Sequence, residues 1–190
     1  MIRIAIVGDI GSGKSFVAKL FGYPVFNADK IVSEIYKNDK NCFKKIKRKF
    51  PKVISTFPLK KKDLLNIILQ RKGNLKIIVK VVHPIVRMKL ENFIKKKKKN
   101  KIVILDIPLY LENKLNKKKD VIVFIKSKRT EIIKRLKKRQ NFNPLILSKF
   151  KKIQLPLEEK RKKSTFIINN NFKIKTAKKY VKQILKKILQ

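Results

Sequence analysis

The sequence predicts an α/β fold, a parallel sheet flanked by helices, on three observations. A short apolar strand, Ile2 to Val7, runs straight into the glycine-rich stretch Gly8-Asp9-Ile10-Gly11-Ser12-Gly13-Lys14-Ser15. Directly after it Phe16, Val17, Leu20 and Phe21 recur at helical spacing, and Gly22 stands where a helix C-cap belongs. Farther on, short apolar runs at Ile102 to Leu105, Val121 to Ile125 and Phe166 to Ile168 are separated by helical patterns, the alternation that builds a parallel sheet.

The glycine-rich stretch fits GxxxxGK[ST], the phosphate-binding loop. Such a loop wraps successive backbone N–H groups round a phosphate chain, which requires positive φ or close backbone approach that glycine allows. Lys14 is placed to reach the β- and γ-phosphates, and the Ser15 hydroxyl can ligate Mg²⁺. The helix that follows aims its positive end at the anion. The candidate nucleotide contacts are therefore Gly8, Asp9, Ile10, Gly11, Ser12, Gly13, Lys14, Ser15 and Phe16. A glycine turn without a ligand is the bland alternative; the Lys-Ser pair and the strand and helix on either side count against it.

Length and composition narrow the class. At 190 residues the chain suits one well-cored domain carrying small inserted lobes. Its first residues read as a core strand rather than a secretion signal, and no apolar run approaches the ~20 residues a membrane span needs. Cys42 is the single cysteine, so no internal disulfide framework exists, and with one histidine it cannot build a zinc site of the usual kind. A reducing, cytoplasmic setting without a membrane partner is expected. The formal charge of +41 invites a nucleic-acid reading. Against it, the lysines spread along nearly the whole chain, alternate with Ile, Leu and Phe at helical spacing, and are accompanied by many Asn. An AT-rich coding sequence would bias surface positions in this way. Weak polyanion binding at low salt is expected, and no specific nucleic-acid partner.

Taken in order, Tyr23 to Phe26 reads as a second short strand delivering Asn27-Ala28-Asp29 at its C-terminal end, which lines the ligand crevice in open parallel sheets. Ile31, Val32, Ile35 and Tyr36 then mark a helix with Asp29 at or near its N-cap, so a cap is the bland reading of Asp29. Residues 39 to 98 read as helical throughout, with breaks near Pro51, Pro58 and Gly73-Asn74, an insertion suited to a substrate lobe. Within it His83-Pro84-Ile85-Val86-Arg87 holds the lone histidine. On spacing alone His83 reads as a structural hydrogen-bonder, and Pro84 as a helix start. The strand Ile102 to Leu105 ends in Asp106, a carboxylate placed to hold Mg²⁺ or its water, and Pro108 then opens a loop. Asn116 to Asp120 looks like a guanine-specificity NKxD but is one residue too long, which removes support for a GTPase. Thr130 is placed to cap a helix bearing Arg135 and Arg139. Asn141 to Pro144 interrupts that helix, and a second one carries Leu147, Phe150 and Ile153. Two short arginine-bearing helices suit a mobile lid, and equally a solvated basic surface. An amphipathic helix from Ile174 to Ile188 closes the chain.

A phosphate loop, a carboxylate at a nearby strand end and a helical insertion point to phosphoryl transfer onto a small acceptor. Lys14, Mg²⁺ and lid arginines would share the charge, and Asp29 would orient or deprotonate the attacking hydroxyl. The acceptor stays open on these grounds.

The spaced motifs together resemble one family, the dephospho-CoA kinases, P-loop kinases of the nucleoside-monophosphate kinase type. Gly8 to Ser15 matches their loop, Asn27-Ala28-Asp29 a DAD-like segment, His83-Pro84 with Arg87 an HP motif, and Asp106 to Glu112 a DxPLLFE-like segment. Arg135-Leu136 with Arg139 matches the lid helix, Gln154 to Arg161 matches QxPxxxKR, and Phe166 to Asn169 a VIxN strand end. The resemblance implies a P-loop kinase fold with a helical acceptor-binding insertion at 39–99, a lid at 128–163 and a core of 1–38, 100–127 and 164–190. It implies ATP as donor with Mg²⁺, and transfer to the ribose 3′-hydroxyl of dephospho-CoA by a monomeric enzyme; another P-loop small-molecule or nucleoside-monophosphate kinase is the alternative. Asp29, Lys14 and Arg139 become the expected catalytic residues, and Asn169 or Asn170 joins the nucleotide side. Asp29, His83, Arg87, Pro108 and Leu109 form the acceptor side, with Ser15 and Asp106 as the metal pair. Asp9 stands where the family has Gly and is expected to point outward. Asn27 replaces the first Asp of DAD, leaving Asp29 as the only carboxylate there.

Overall fold

The computed structural model describes residues 1–140 and 142–190. Five strands, β1 (Ile2–Gly8), β2 (Val25–Asn27), β3 (Ile102–Asp106), β4 (Val121–Lys126) and β5 (Phe166–Asn169), pair in the order β2-β3-β1-β4-β5, all parallel. Nine helices accompany them among the described residues: α1 (Lys14–Leu20), α2 (Ala28–Asn38), α3 (Lys40–Lys49), α4 (Lys61–Gln70), α5 (Asn74–Lys96), α6 (Arg129–Lys137), α7 (Pro144–Lys151), α8 (Leu157–Lys162) and α9 (Ile174–Leu189). They belong to two compact units, one of residues 1–27, 94–142 and 153–190, the other of 28–93 and 143–152.

The first unit contains the whole sheet. A parallel sheet covered on both faces needs continuous apolar strands rather than alternating ones, and all five residues of β3 and the run Ile4 to Ile6 of β1 are buried. Ile4, Ile6, Ile102, Ile104, Val123, Ile125 and Ile168 share a core with Val17, Ala18 and Phe21 of α1 and its flank, and with Ala177, Val181 and Ile184 of α9. The register is what matters for function. Ile6 and Asn27 both lie opposite Asp106, Gly8 lies opposite Ile125, and Lys126 opposite Asn169. The C-terminal ends of the strands thus share one edge, the edge where ligands sit in open α/β sheets.

The second unit is helical. Asp39 caps α3 by accepting from the Cys42 N–H at 2.8 Å, and α3 lies against α2. Lys149 of α7 places its ammonium on the C-terminal carbonyls of α4, donating to Leu69 at 3.2 Å, to Arg71 at 3.4 Å and to Ile68. These are the carbonyls a helix leaves without partners, and a cation complements the negative end of the dipole there.

Three local expectations are corrected. α6 begins at Arg129 after an N-cap position at Lys128, so Thr130 lies in the first turn and caps nothing. Pro84 does not start a helix but sits inside α5, where its missing N–H removes one intrahelical bond without ending the 23-residue helix. Long apolar packing outweighs that loss: Ile78, Val82, Val86 and Leu90 bury one face on both sides of it. The second strand starts at Val25 rather than Tyr23. Asp29 lies in the first turn of α2, near the N-terminus as expected. Asn141, the first residue of the expected break after α6, lies outside the described residues.

A buried polar cluster ties β1 to the segment between β3 and β4. Arg3 Nε lies 3.0 Å from Asp120 Oδ1, and Arg3 Nη2 donates to the Tyr110 hydroxyl at 2.8 Å and the Leu115 carbonyl at 3.1 Å. The Tyr110 hydroxyl donates in turn to Asp120, whose Oδ2 also accepts the Lys117 N–H at 2.6 Å. Burial, and then this bond to Asp120, push the tyrosine's pKa above its ordinary value, so it remains a donor. The would-be NKxD aspartate is therefore a structural anion. Removing it in Asp120→Ala leaves Arg3 buried without its counter-ion, and urea unfolding is expected to register a loss of about 3–5 kcal/mol.

Candidate active site

The loop between β1 and α1 is shaped by three glycines in left-handed or extended positive-φ conformations, at φ 146° (Gly8), 84° (Gly11) and 91° (Gly13). A Cβ at Gly13 would stand 2.5 Å from Asn170 Nδ2, one at Gly8 2.7 Å from the Ile125 carbonyl, and one at Gly11 3.0 Å from Leu136. The loop is thus packed among the end of β4, helix α6 and the segment after β5. The Ser12 carbonyl accepts from Asn170 Nδ2 at 2.8 Å and from Ser127 Oγ at 3.0 Å. Its hydroxyl Oγ is buried without a hydrogen-bond partner. A buried, unmatched donor inside a loop rich in backbone N–H groups fits a phosphate oxygen.

Lys14 is buried, and its ammonium spans the loop, donating to the Asp9 carbonyl at 2.7 Å and to the Gly8 carbonyl at 3.3 Å. Asp9 turns its carboxylate back on the loop, where Oδ1 accepts the Ile10 N–H at 2.7 Å. Ser15 and Phe16, in the first turn of α1, are exposed. Asp106 is buried at the end of β3 and accepts from Asn27 Nδ2 at 2.6 Å. The Asn27 amide nitrogen is a donor to Asp106, a bond that an ionised carboxylate at this position could not make.

On the other side of the loop, Asn170 also holds Phe172, its Oδ1 accepting the Phe172 N–H at 3.0 Å. Phe172 adopts φ 63°, unusual for a bulky residue, and its ring lies 4.3 Å beneath the Arg135 guanidinium. Arg139 follows the end of α6 and is exposed. Asn169 is exposed, its Nδ2 3.4 Å from the Tyr180 hydroxyl, so it is Asn170 whose side chain reaches the loop. Phe172 and Ser127 were not legible in the sequence. The sequence leaves Asn169 and Asn170 as alternatives for the nucleotide side, and it is Asn170, just past the end of β5 and buried like Ile168, that reaches the loop.

In the helical unit, His83 and Arg87 lie one turn apart on α5 and, with Lys80, Pro84, Met88 and Glu91, line a groove of about 450 Å³. Burial, and then the Arg87 charge, lower the His83 pKa from 6.5, so the imidazole is neutral at pH 7. Asp29 is exposed in the first turn of α2, and Pro108 and Leu109 are half-buried in the turn after β3. The structure therefore gathers Gly8 to Phe16, Asn27, Asp106, Ser127 and Asn170 at one sheet edge, and His83 with Arg87 on one helix.

A glycine loop closing the first of five parallel strands onto a helix, with a strand-end carboxylate beside the central strand, defines a P-loop kinase. The chain belongs to the dephospho-CoA kinase family, whose model matches residues 2–176. The dephospho-CoA kinase of Wolbachia pipientis wMel is 37% identical over 98% of this chain and 95% of its own length. A crystal structure from Thermus thermophilus superposes with a TM-score of 0.81 at 28% identity, covering 100% of this chain and 98% of that one. The dephospho-CoA kinase from Campylobacter jejuni shares the fold, with a TM-score of 0.64 at 23% identity over 98% of this chain and 96% of that one. The chain is accordingly a kinase with ATP as phosphoryl donor and a small-molecule acceptor. Among the described residues no helix is long and apolar enough to cross a membrane.

The position of Asp9 yields a test. Asp9→Asn keeps an acceptor for the Ile10 N–H and removes a negative charge from the border of a phosphate site. ATP affinity, measured by titration calorimetry, is expected to rise about two- to tenfold.

Proposed function

We propose that the chain transfers the γ-phosphate of ATP to the ribose 3′-hydroxyl of dephospho-CoA, the last step of coenzyme A synthesis. The observation that carries this reading is the reach of the family match, which takes in the phosphate loop, Asp29, His83, Arg87 and the arginines of α6 in one span. Residues 39–99 serve as the acceptor-binding insertion and 128–163 as the lid, on a core of 1–38, 100–127 and 164–190. The enzyme acts as a cytoplasmic monomer, without a specific nucleic-acid partner.

Phosphoryl transfer passes through a loose transition state, so catalysis is mainly positioning and charge neutralisation. The N–H groups from Gly8 to Phe16 cradle the phosphates, and Lys14 exchanges its loop carbonyls for phosphate oxygens. Arg139 adds a second cation, and Asn169 borders the nucleotide. Asp29 accepts the hydrogen of the attacking hydroxyl and so aims its oxygen at phosphorus. His83 and Arg87 hold the acceptor, Arg87 by charge and His83 as a neutral hydrogen-bonder, while Pro108 and Leu109 give it an apolar wall. The donor set suits Mg²⁺: a hydroxyl and a buried carboxylate, Ser15 and Asp106, are the few hard oxygens this ion takes from protein when phosphates and water complete its shell. Bound there, Mg²⁺ supplies neutralisation of the β- and γ-phosphate charge.

A panel of acceptors with labelled ATP tests the substrate. Dephospho-CoA is expected to exceed nucleoside monophosphates by at least about a hundredfold in kcat/KM; preference for a nucleotide would overturn the assignment. Asp29→Asn is expected to lower kcat by about 10²–10⁴-fold. Its ATP affinity should stay within about twofold, and an unchanged kcat would remove Asp29 from the chemistry.

A further inference from the structure

Two charged side chains far from the phosphate loop in sequence meet in the interior of the sheet unit. Lys160 of α8 is 1% exposed and Glu112, in the turn after β3, is 9% exposed, and Lys160 Nζ lies 2.7 Å from Glu112 Oε1. The same carboxylate oxygen accepts the Leu155 N–H at 3.0 Å, and Lys160 Nζ also donates to Gln154 Oε1 at 3.0 Å. Lys160, Glu112, Gln154 and the Leu155 N–H are thus joined in one cluster. Two features set its place in the fold. Ile153 is where the chain returns to the sheet unit after α7, so Gln154 and Leu155 are fastened immediately past that return. Glu112 is the far end of a turn whose near end is Asp106. Between these two ends Ile107, Tyr110 and Leu111 are buried, and only Pro108 and Leu109 remain half-buried.

A buried ion pair is weak evidence for stability, because desolvation offsets most of the Coulomb attraction and apolar pairs of similar volume do as well or better. A buried pair at this place in the fold leaves room for a role beyond stability. We infer that Glu112 and Lys160 are positioning residues for the acceptor. They fix the far end of the Asp106–Glu112 turn, and thereby the presentation of Pro108 and Leu109. The inference rests on the proposed acceptor role of those two residues. Asp106, fixed independently by β3 and by Asn27, keeps its place when the pair is lost. Hence the acceptor should feel the change and ATP should not.

The test is the double variant Glu112→Gln/Lys160→Met, which removes both charges at nearly constant volume and keeps an acceptor for the Leu155 N–H. Single variants leave one charge buried alone and confound folding with function. The double variant is expected to unfold within a few degrees of the parent. Its KM for dephospho-CoA should rise about tenfold, with kcat and the KM for ATP within about twofold. Amide exchange of the peptide spanning residues 107–112, followed by mass spectrometry without ligand, should speed up while that of β3 does not. An unchanged acceptor KM, an equal rise in the ATP KM, or unchanged exchange in that peptide would each overturn the inference. If the double variant fails to fold, the pair is a stability element and the inference is likewise overturned. A parent enzyme inert towards dephospho-CoA overturns the proposed function instead, and with it the acceptor role of this pair.

Discussion

A side chain would be crowded and strained at three positions of the phosphate loop, and the bare backbone there organises its surroundings. Because Gly13 carries no Cβ, Asn170 can place its amide beside it and reach the Ser12 carbonyl. Because Gly11 carries none, Ile132 and Leu136 of α6 close directly over the loop. Helix α6 and the segment after the last strand are thus both built against bare backbone. A phosphate chain bound by N–H groups needs that backbone held rigidly, since amides that reorganise on binding forfeit part of their electrostatic benefit.

Charge is handled differently inside and outside the chain. Outside, lysines are numerous and their placement follows the helical periods. Inside, each cation answers to particular oxygens: Arg3 to Asp120 and Tyr110, Lys14 to the Gly8 and Asp9 carbonyls, Lys160 to Glu112 and Gln154. Anions follow the same rule. Asp106 meets the Asn27 amide, and Asp9 folds onto a loop N–H, which accommodates an acidic residue beside a phosphate site by engaging its charge locally.

Local signals were the legible ones. The phosphate loop, the strand ending in Asp106 and the helix after Ile174 each announce themselves within a dozen residues, through glycine spacing or apolar period. What depends on tertiary context was not legible. Thr130 is a good cap by type, yet the chain turns helical one residue earlier, at Arg129. Pro84 reads as punctuation, yet apolar residues on both sides keep α5 continuous. Glu112 and Lys160 fall inside recognisable motifs, but their meeting across 47 intervening positions is set by how the turn after β3 and α8 pack, and neither neighbourhood encodes it. Asn170 stands between these cases, since the sequence leaves it and Asn169 as alternatives and its place just past the end of β5 decides between them.

The sorting of cations by depth has a practical consequence for chemical labelling. Of 53 lysines and arginines, Lys14 and Lys160 are the buried lysines among the described residues. An amine-directed reagent would strip charge from the surface long before it met either ammonium. The rate at which Lys14 is modified would then report how often the phosphate loop opens, a breathing motion that the crowd of exposed lysines does not obscure.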